Sequence, residues 1–376
     1  MKQVSRLFAV YTLLVSSMTV YAQEIQSYTD CAECHTQSTR SWKISRHAQS
    51  TPATNPFYAA MLHWANESSE GNAQKECERC HVPVTTLTTD PFVIETVSEE
   101  GVTCDVCHAV KPSGSWMVPG EKNVKYGPYG DAISVVHESQ YSSWLVSSNH
   151  CLTCHGNLEN AHGVSFCSTE LEYKKSSFAG QGVTCQDCHM PSIEGRTAEL
   201  GKMRRVHSHV FYGGYNPEIL QNCADLELTL KSDSSSVHIQ VTVTNKTVGH
   251  ALPTGSPMRA VYLKLEIRDA EANTLWRNFE TNPLIEDPQS VFMRLLEDER
   301  GAAPVPPWKA RAVRFDQRIG PDERRVLNYD LELQNADIVI AELVYRLAPP
   351  ALLAKLNIDK EPFSEVISIA TESVQF

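Results

Sequence analysis

The sequence predicts an α+β chain: a mainly helical, cysteine-rich region followed by an antiparallel β-sandwich. Two features of its 376 residues carry this expectation. One is a C-x-x-C-H pattern that recurs five times between residues 31 and 189. The other is a change of character after about residue 222, where apolar and polar residues begin to alternate with a period of two. The chain then divides into a leader at 1–22, a motif-bearing region at 23–221 and a β region at 222–376, and this length suits about two domains.

The leader has a positive start at Lys2 and Arg6, then an apolar run from Leu7 to Val20. Val20-Tyr21-Ala22 offers a small-residue cleavage pattern before Gln23, the organisation of a secretory signal peptide. The run is short for a membrane span of about 20 residues. The mature chain is therefore expected outside the cytoplasm, in a periplasm or at the outer cell surface. The formal net charge is −12 and no basic run stands out, which argues against nucleic acid as a partner.

Ten of the twelve cysteines form the five motifs. They are Cys31 and Cys34 with His35, Cys77 and Cys80 with His81, Cys104 and Cys107 with His108, Cys151 and Cys154 with His155, and Cys185 and Cys188 with His189. C-x-x-C-H is the attachment motif of c-type haem. Two thiols add across two haem vinyl groups, and the adjoining histidine becomes the proximal ligand of the iron. Disulfides or zinc knuckles also use paired cysteines, but neither explains a histidine at one fixed offset in all five. The expectation is five covalently bound haem c groups. Crowded between residues 31 and 189, they must form much of their own core and lie close to one another.

The chain has fourteen histidines, so nine remain beyond the five proximal ones. A second histidine on an iron closes it to substrate, and a free position leaves it open for chemistry. His47 ends a stretch from Ser38 without Pro or Gly that is expected as a short helix, and His137 opens a segment expected to be helical to about Ser148. His150 directly precedes Cys151, and His207 and His209 share one face of an extended segment. His63 reads as a packed helix residue and His162 as an exposed one. His238 falls on the solvent side of a strand and is rejected as a ligand.

From Cys31 to Gly214 the chain resembles the multihaem cytochromes of the cytochrome c-554 type, relatives of the hydroxylamine oxidoreductase group. The residues that carry the likeness are Trp42, Ser45, His47 and Ala48 after the first motif, and Gly101-Val102-Thr103 and Gly182-Val183-Thr184 before two others. His189-Met190-Pro191, the run from His209 to Gly214, and Asn245 to Gly255 complete it. The resemblance implies His47, His137, His209 and His250 as distal ligands. The fifth stays open among His150, His207, His63 and His162, with His150 preferred. The ammonia-forming nitrite reductases use a C-x-x-C-K motif that is missing here, and the octahaem relatives carry more motifs. Both departures weaken an enzymatic reading.

In the β region, Val237, Ile239, Val241 and Val243 alternate with polar residues, as do Val261, Leu263, Leu265 and Ile267. Further strands are expected near Leu275–Phe279, Ala310–Phe315, Val326–Leu333, Val339–Tyr345 and Val366–Ile369, with a short helix from Pro350 to about Lys355. This region is expected to cap the haem domain and lend it His250, with a docking module or a substrate-binding module as alternatives. Trp276 and Trp308 read as core or interface residues, and Cys167 and Cys223 as a candidate disulfide across the junction.

The functional expectation is an exported pentahaem electron carrier in anaerobic or extracellular respiration. Its partners would be other cytochromes, a quinol-oxidising membrane complex or an outer-membrane conduit. The alternatives are a multihaem oxidoreductase acting on a small nitrogen or sulfur oxyanion at one open iron, and a subunit of a haem filament or conduit.

Overall fold

A computed structural model describes residues 25–69, 73–232, 236–359 and 361–376. The expected leader at 1–22 lies outside the described residues. Among the described residues, no helix is long and apolar enough to cross a membrane.

The motif-bearing region is built from short helices and small two-stranded ladders. Its longest helix is Pro56–Ser68, with Asn55 capping it by accepting from the Tyr58 amide and Pro56 in its first turn. Three of the five motifs lie on helices of their own, Ala73–His81, Cys104–His108 and Cys185–His189. The first and fourth begin in the helices Tyr28–Ala32 and Ser148–Leu152 and run on into a turn. In both the first and fourth motifs the histidine amide donates 2.9 Å back to the carbonyl of the leading cysteine. That is one helical turn, which sets residues i, i+3 and i+4 on one face. Two thiols and an imidazole therefore point the same way.

The β region forms a two-layer sandwich. Its strands are β1 (Asp225–Ser232), β2 (Ser236–Thr244), β3 (Ala260–Arg268), β4 (Thr274–Arg277), β5 (Val291–Phe292), β6 (Arg294–Glu297), β7 (Ala312–Asp316), β8 (Arg324–Glu332), β9 (Ile338–Arg346) and β10 (Val366–Gln375). One sheet has the order β8-β2-β1, and the other β4-β3-β9-β10 with β5 paired to β3. Every pairing in both sheets is antiparallel. The inward residues Ile239, Val241, Leu263, Leu265 and Leu343 from the two sheets share one core. A period-two pattern with one buried face requires this packing.

Two local expectations change. The segment after His137 is a strand, Glu138–Tyr141, not a helix. It pairs in parallel with Val124–Gly127, so a long-range ladder satisfies its backbone in place of a helix. His47 follows the helix Thr36–Lys43 in a turn rather than lying within it. Its place is fixed from outside: the Val102 amide donates 3.0 Å to the His47 carbonyl. Gly101, at φ +70°, passes so close that a side chain there would strike that carbonyl.

Candidate haem-binding site

The five motif turns face one continuous cavity of about 2530 Å³. A pocket for a single ligand measures roughly 300–1,000 Å³, so this space suits several large groups. All five motif histidines line it, with every motif cysteine except Cys77, and so do His47, His137, His209 and His250.

Those four histidines each meet one proximal ring. His137 faces His35 with ring centres 6.3 Å apart, and His47 faces His155, His209 faces His108 and His250 faces His189, each at 6.2 Å. Two metal–imidazole bonds of about 2.0–2.1 Å each account for about 4 Å of such a separation. The distance from each nitrogen to its own ring centre supplies the rest. Four pairs from unrelated segments share this spacing, which fits an iron between each pair and is too wide for direct ring contact.

Hydrogen bonds orient the rings. The Nδ1 atoms of His35 and His108 lie 2.5 and 2.7 Å from the carbonyls of Thr197 and Tyr126, and His189 bonds to the Tyr212 carbonyl. His250 does the same to Ala251 at 2.9 Å, and His137 to Glu138 at 3.1 Å. An Nδ1–H donated to a carbonyl leaves the Nε2 lone pair for a metal. Burial pushes His47 down to about 3, and His155, His209 and His250 down to about 4, which keeps these imidazoles neutral. Phe211, at φ +49°, wedges between His47 and His209, with ring centres 4.2 and 5.8 Å away. The motif cysteines also neighbour one another across motifs: Cys31 and Cys104, Cys80 and Cys154, and Cys151 and Cys185 are close enough to perturb each other's ionisation. Among the described residues, no group of three or more His, Cys, Asp or Glu converges on a point as a zinc site would.

A family described as "Cytochrome c554 and c-prime" matches residues 30–109, which hold the first three motifs. A solved structure, the penta-heme cytochrome c552 from Thermochromatium tepidum, superposes with a TM-score of 0.77 at 26% identity, covering 93% of this chain and 99% of that chain. This chain is a multihaem c-type cytochrome. No curated protein matches it. A β-glucosidase from Kluyveromyces marxianus aligns over 40% of this chain and 14% of that chain at 9% identity and a TM-score of 0.16, and carries no argument.

The remaining motif histidine of the cytochrome, His81 of the second motif, is set apart. Its face stacks on Tyr58 with ring centres 4.2 Å apart and planes 9° from parallel, and among the described residues no histidine ring pairs with it as the other four pair. The Tyr58 hydroxyl is buried without a partner. His150, the expected fifth distal ligand, is not brought to His81. Its ring meets Trp144 edge-on at 4.4 Å, because in the helix Ser148–Leu152 neighbouring side chains diverge and His150 turns away from the Cys151 face. The other candidates are engaged elsewhere. His207 lines the cavity with Nδ1 on the Met190 carbonyl at 2.6 Å but forms no ring pair with a motif histidine, His63 is exposed beside Glu67, and His162 is exposed in a turn. Cys167 and Cys223 are buried free thiols, so the disulfide across the junction is not formed. Sequence reasoning missed Tyr58; its helix start was signalled by Asn55-Pro56, but nothing local says which motif that helix covers.

Proposed function

We propose that this cytochrome is an electron carrier that holds five covalently bound haem c groups, four of them between paired histidines. The observation that carries this reading is the repeated 6.2–6.3 Å spacing of His35–His137, His47–His155, His108–His209 and His189–His250. The haem supplies one-electron chemistry. The chain's own residues hold the imidazoles neutral, aim Nε2 inward and exclude water. Closeness between motifs supports internal transfer: the neighbouring pairs Cys31–Cys104, Cys80–Cys154 and Cys151–Cys185 place attachment edges side by side. Cys107 also acts electrostatically on both Cys151 and Cys154. The groups then form the chain first–third–fourth–fifth, with the second joined at the fourth.

In this reading residues 23–221 are the haem domain, and residues 222–376 are a β-sandwich that lends it His250. The leader at 1–22 directs export to a periplasm or the outer surface. The partners are redox proteins such as other cytochromes, a quinol-oxidising membrane complex or an outer-membrane conduit, in anaerobic or extracellular respiration.

The position of His81 favours a second activity at one motif. No histidine among the described residues faces His81 at ligand spacing, so the second motif is where a small nitrogen or sulfur oxyanion would meet an open iron. Low-temperature electron paramagnetic resonance of the oxidised protein, calibrated for haem content, tests both readings. The expected result is four low-spin bis-histidine haems and one high-spin haem that responds to cyanide or nitrite. Five low-spin haems would leave the carrier and remove the open site; fewer than four would overturn the pairing.

A further inference from the structure

Most arginines whose head groups are held in this protein meet a carboxylate. Arg204 pairs with Asp131, Arg268 with Glu266, Arg294 and Arg318 with Asp316, Arg314 with Glu297, and Arg325 with Glu323. Three arginines in the cavity wall do not: the exposed Arg205, which bonds to the Ser192 hydroxyl, and the half-buried Arg46 and Arg259. Arg259 donates only to the Thr254 carbonyl at 3.0 Å, with its guanidinium packed over Gly255. Arg46 bonds to Gln49 at 2.8 Å and lies over the Tyr215 ring, 4.0 Å from its centre. Arg46, Arg259, Tyr215 and Tyr345 all line the cavity. Neither Arg46 nor Arg259 has a carboxylate among the described residues within ion-pair distance.

A cation withdrawn from water is costly unless an anion and hydrogen bonds answer it. A second atom at the same wall is also unanswered: the Tyr345 hydroxyl is buried without a partner, on a side chain 2% exposed. Gly214 makes room for it, since any side chain there would strike that hydroxyl. Burial pushes Tyr345 up to about 12, so it stays a donor. Arg259 acts electrostatically on Tyr345 and Tyr215, and on the rings of His155 and His250. The wall thus offers a guanidinium, a free hydroxyl and a second guanidinium beside two of the paired histidines. Such a donor set suits a planar anion with two acceptor oxygens.

We propose that Arg259 and the Tyr345 hydroxyl, with Arg46 beside them, form an anion subsite that binds a carboxylate in the wall between the His155 and His189 positions. This rests on the haem reading, under which the carboxylate is a haem propionate; a free oxyanion of similar shape offers the same chemistry. The subsite sets the potential of the group it touches, because a nearby cation favours the reduced, more negative state.

The test uses the full-length holoprotein. Haem content by pyridine haemochrome comes first: a wild-type protein without haem would end the haem reading itself. With haem present, spectropotentiometric titration compares wild type with R259Q, R259K, Y345F and the exposed control R300Q. The expected result is a negative shift of one midpoint potential in R259Q, a smaller shift in R259K and Y345F, and none in R300Q. Formate and acetate, planar carboxylates, are then titrated at fixed potential. If the wild-type midpoint ignores them, the anion is a propionate; if it moves saturably and R259Q abolishes the response, the anion is free. R259Q and Y345F titrating like wild type with full haem content would overturn the subsite. R259K and Y345F keep the test decisive if R259Q does not fold.

Discussion

At the scale of single residues, the motif cysteines and histidines were legible because their chemistry is local. A C-x-x-C-H turn places its three reactive groups on one helical face, whatever the rest of the chain does. The distal partners were not legible from spacing, since His47 meets His155 and His137 meets His35 across long stretches of chain. Only family resemblance selected them, and where that stopped, at the fifth ligand, the structure brings no candidate histidine to His81. A tertiary contact, the Tyr58 stack, occupies that neighbourhood instead. Single replacements separate the roles. H47A, H137A, H209A and H250A should each convert one low-spin haem to high spin, read as a resonance change and a shifted Soret band. H150A should leave the low-spin count unchanged, because its ring serves Trp144. A low-spin loss in H150A would return it to the ligand set.

Among the elements, the sandwich strands followed from period two because one face of each sheet is buried, and a register slip would expose every inward residue. The segment after His137 was misread because its polar composition suits a helix locally, while a parallel ladder to Val124–Gly127 settles it. The junction between the two regions is also tertiary. Glu172 accepts from the Ala251 amide at 3.2 Å, from Ser168 at 2.6 Å and from Arg318 at 2.7 Å, and it bonds to Thr254. It therefore clamps the loop that carries His250. Burial opposes its charge, but Arg318 and the hydroxyl donors outweigh burial and hold its carboxyl below the ordinary value. Arg318 and Glu172 have side chains 8% and 10% exposed, and removing Glu172 takes away one of the two carboxylates that answer Arg318, the other being Asp316. E172Q should lower the thermal midpoint at pH 7 and weaken ligation by His250. A carboxyl depressed in the folded state stabilises above its unfolded value, about 4.3, and loses that contribution as pH falls through the folded value. The gap between wild type and E172Q should therefore narrow below about pH 4.3. A gap independent of pH would show that Glu172 acts by packing alone.

For the molecule as a whole, five attachment motifs crowded into residues 31–189 would make the proposed haems one coupled system rather than five separate sites. Cys31 and Cys104, Cys80 and Cys154, and Cys151 and Cys185 stand close enough to perturb each other's ionisation. On that reading an electron on one iron would raise the cost of reducing its neighbour, since nearby charges in a poorly solvated interior interact strongly. Coupled sites then titrate as a group, with apparent values that belong to the set rather than to any one member. The net charge of −12 adds a uniform bias toward the oxidised state without spreading the steps. A potentiometric titration of the α band should therefore consume five electrons over a range wider than five independent one-electron steps of equal potential would span. Raising the salt concentration should shift the whole curve through the exposed surface charge while barely narrowing it, because salt screens buried neighbours far less than surface groups. A five-electron curve of single-potential width would mean that the haems are insulated from one another, and the carrier would then work as five separate stores rather than a connected wire.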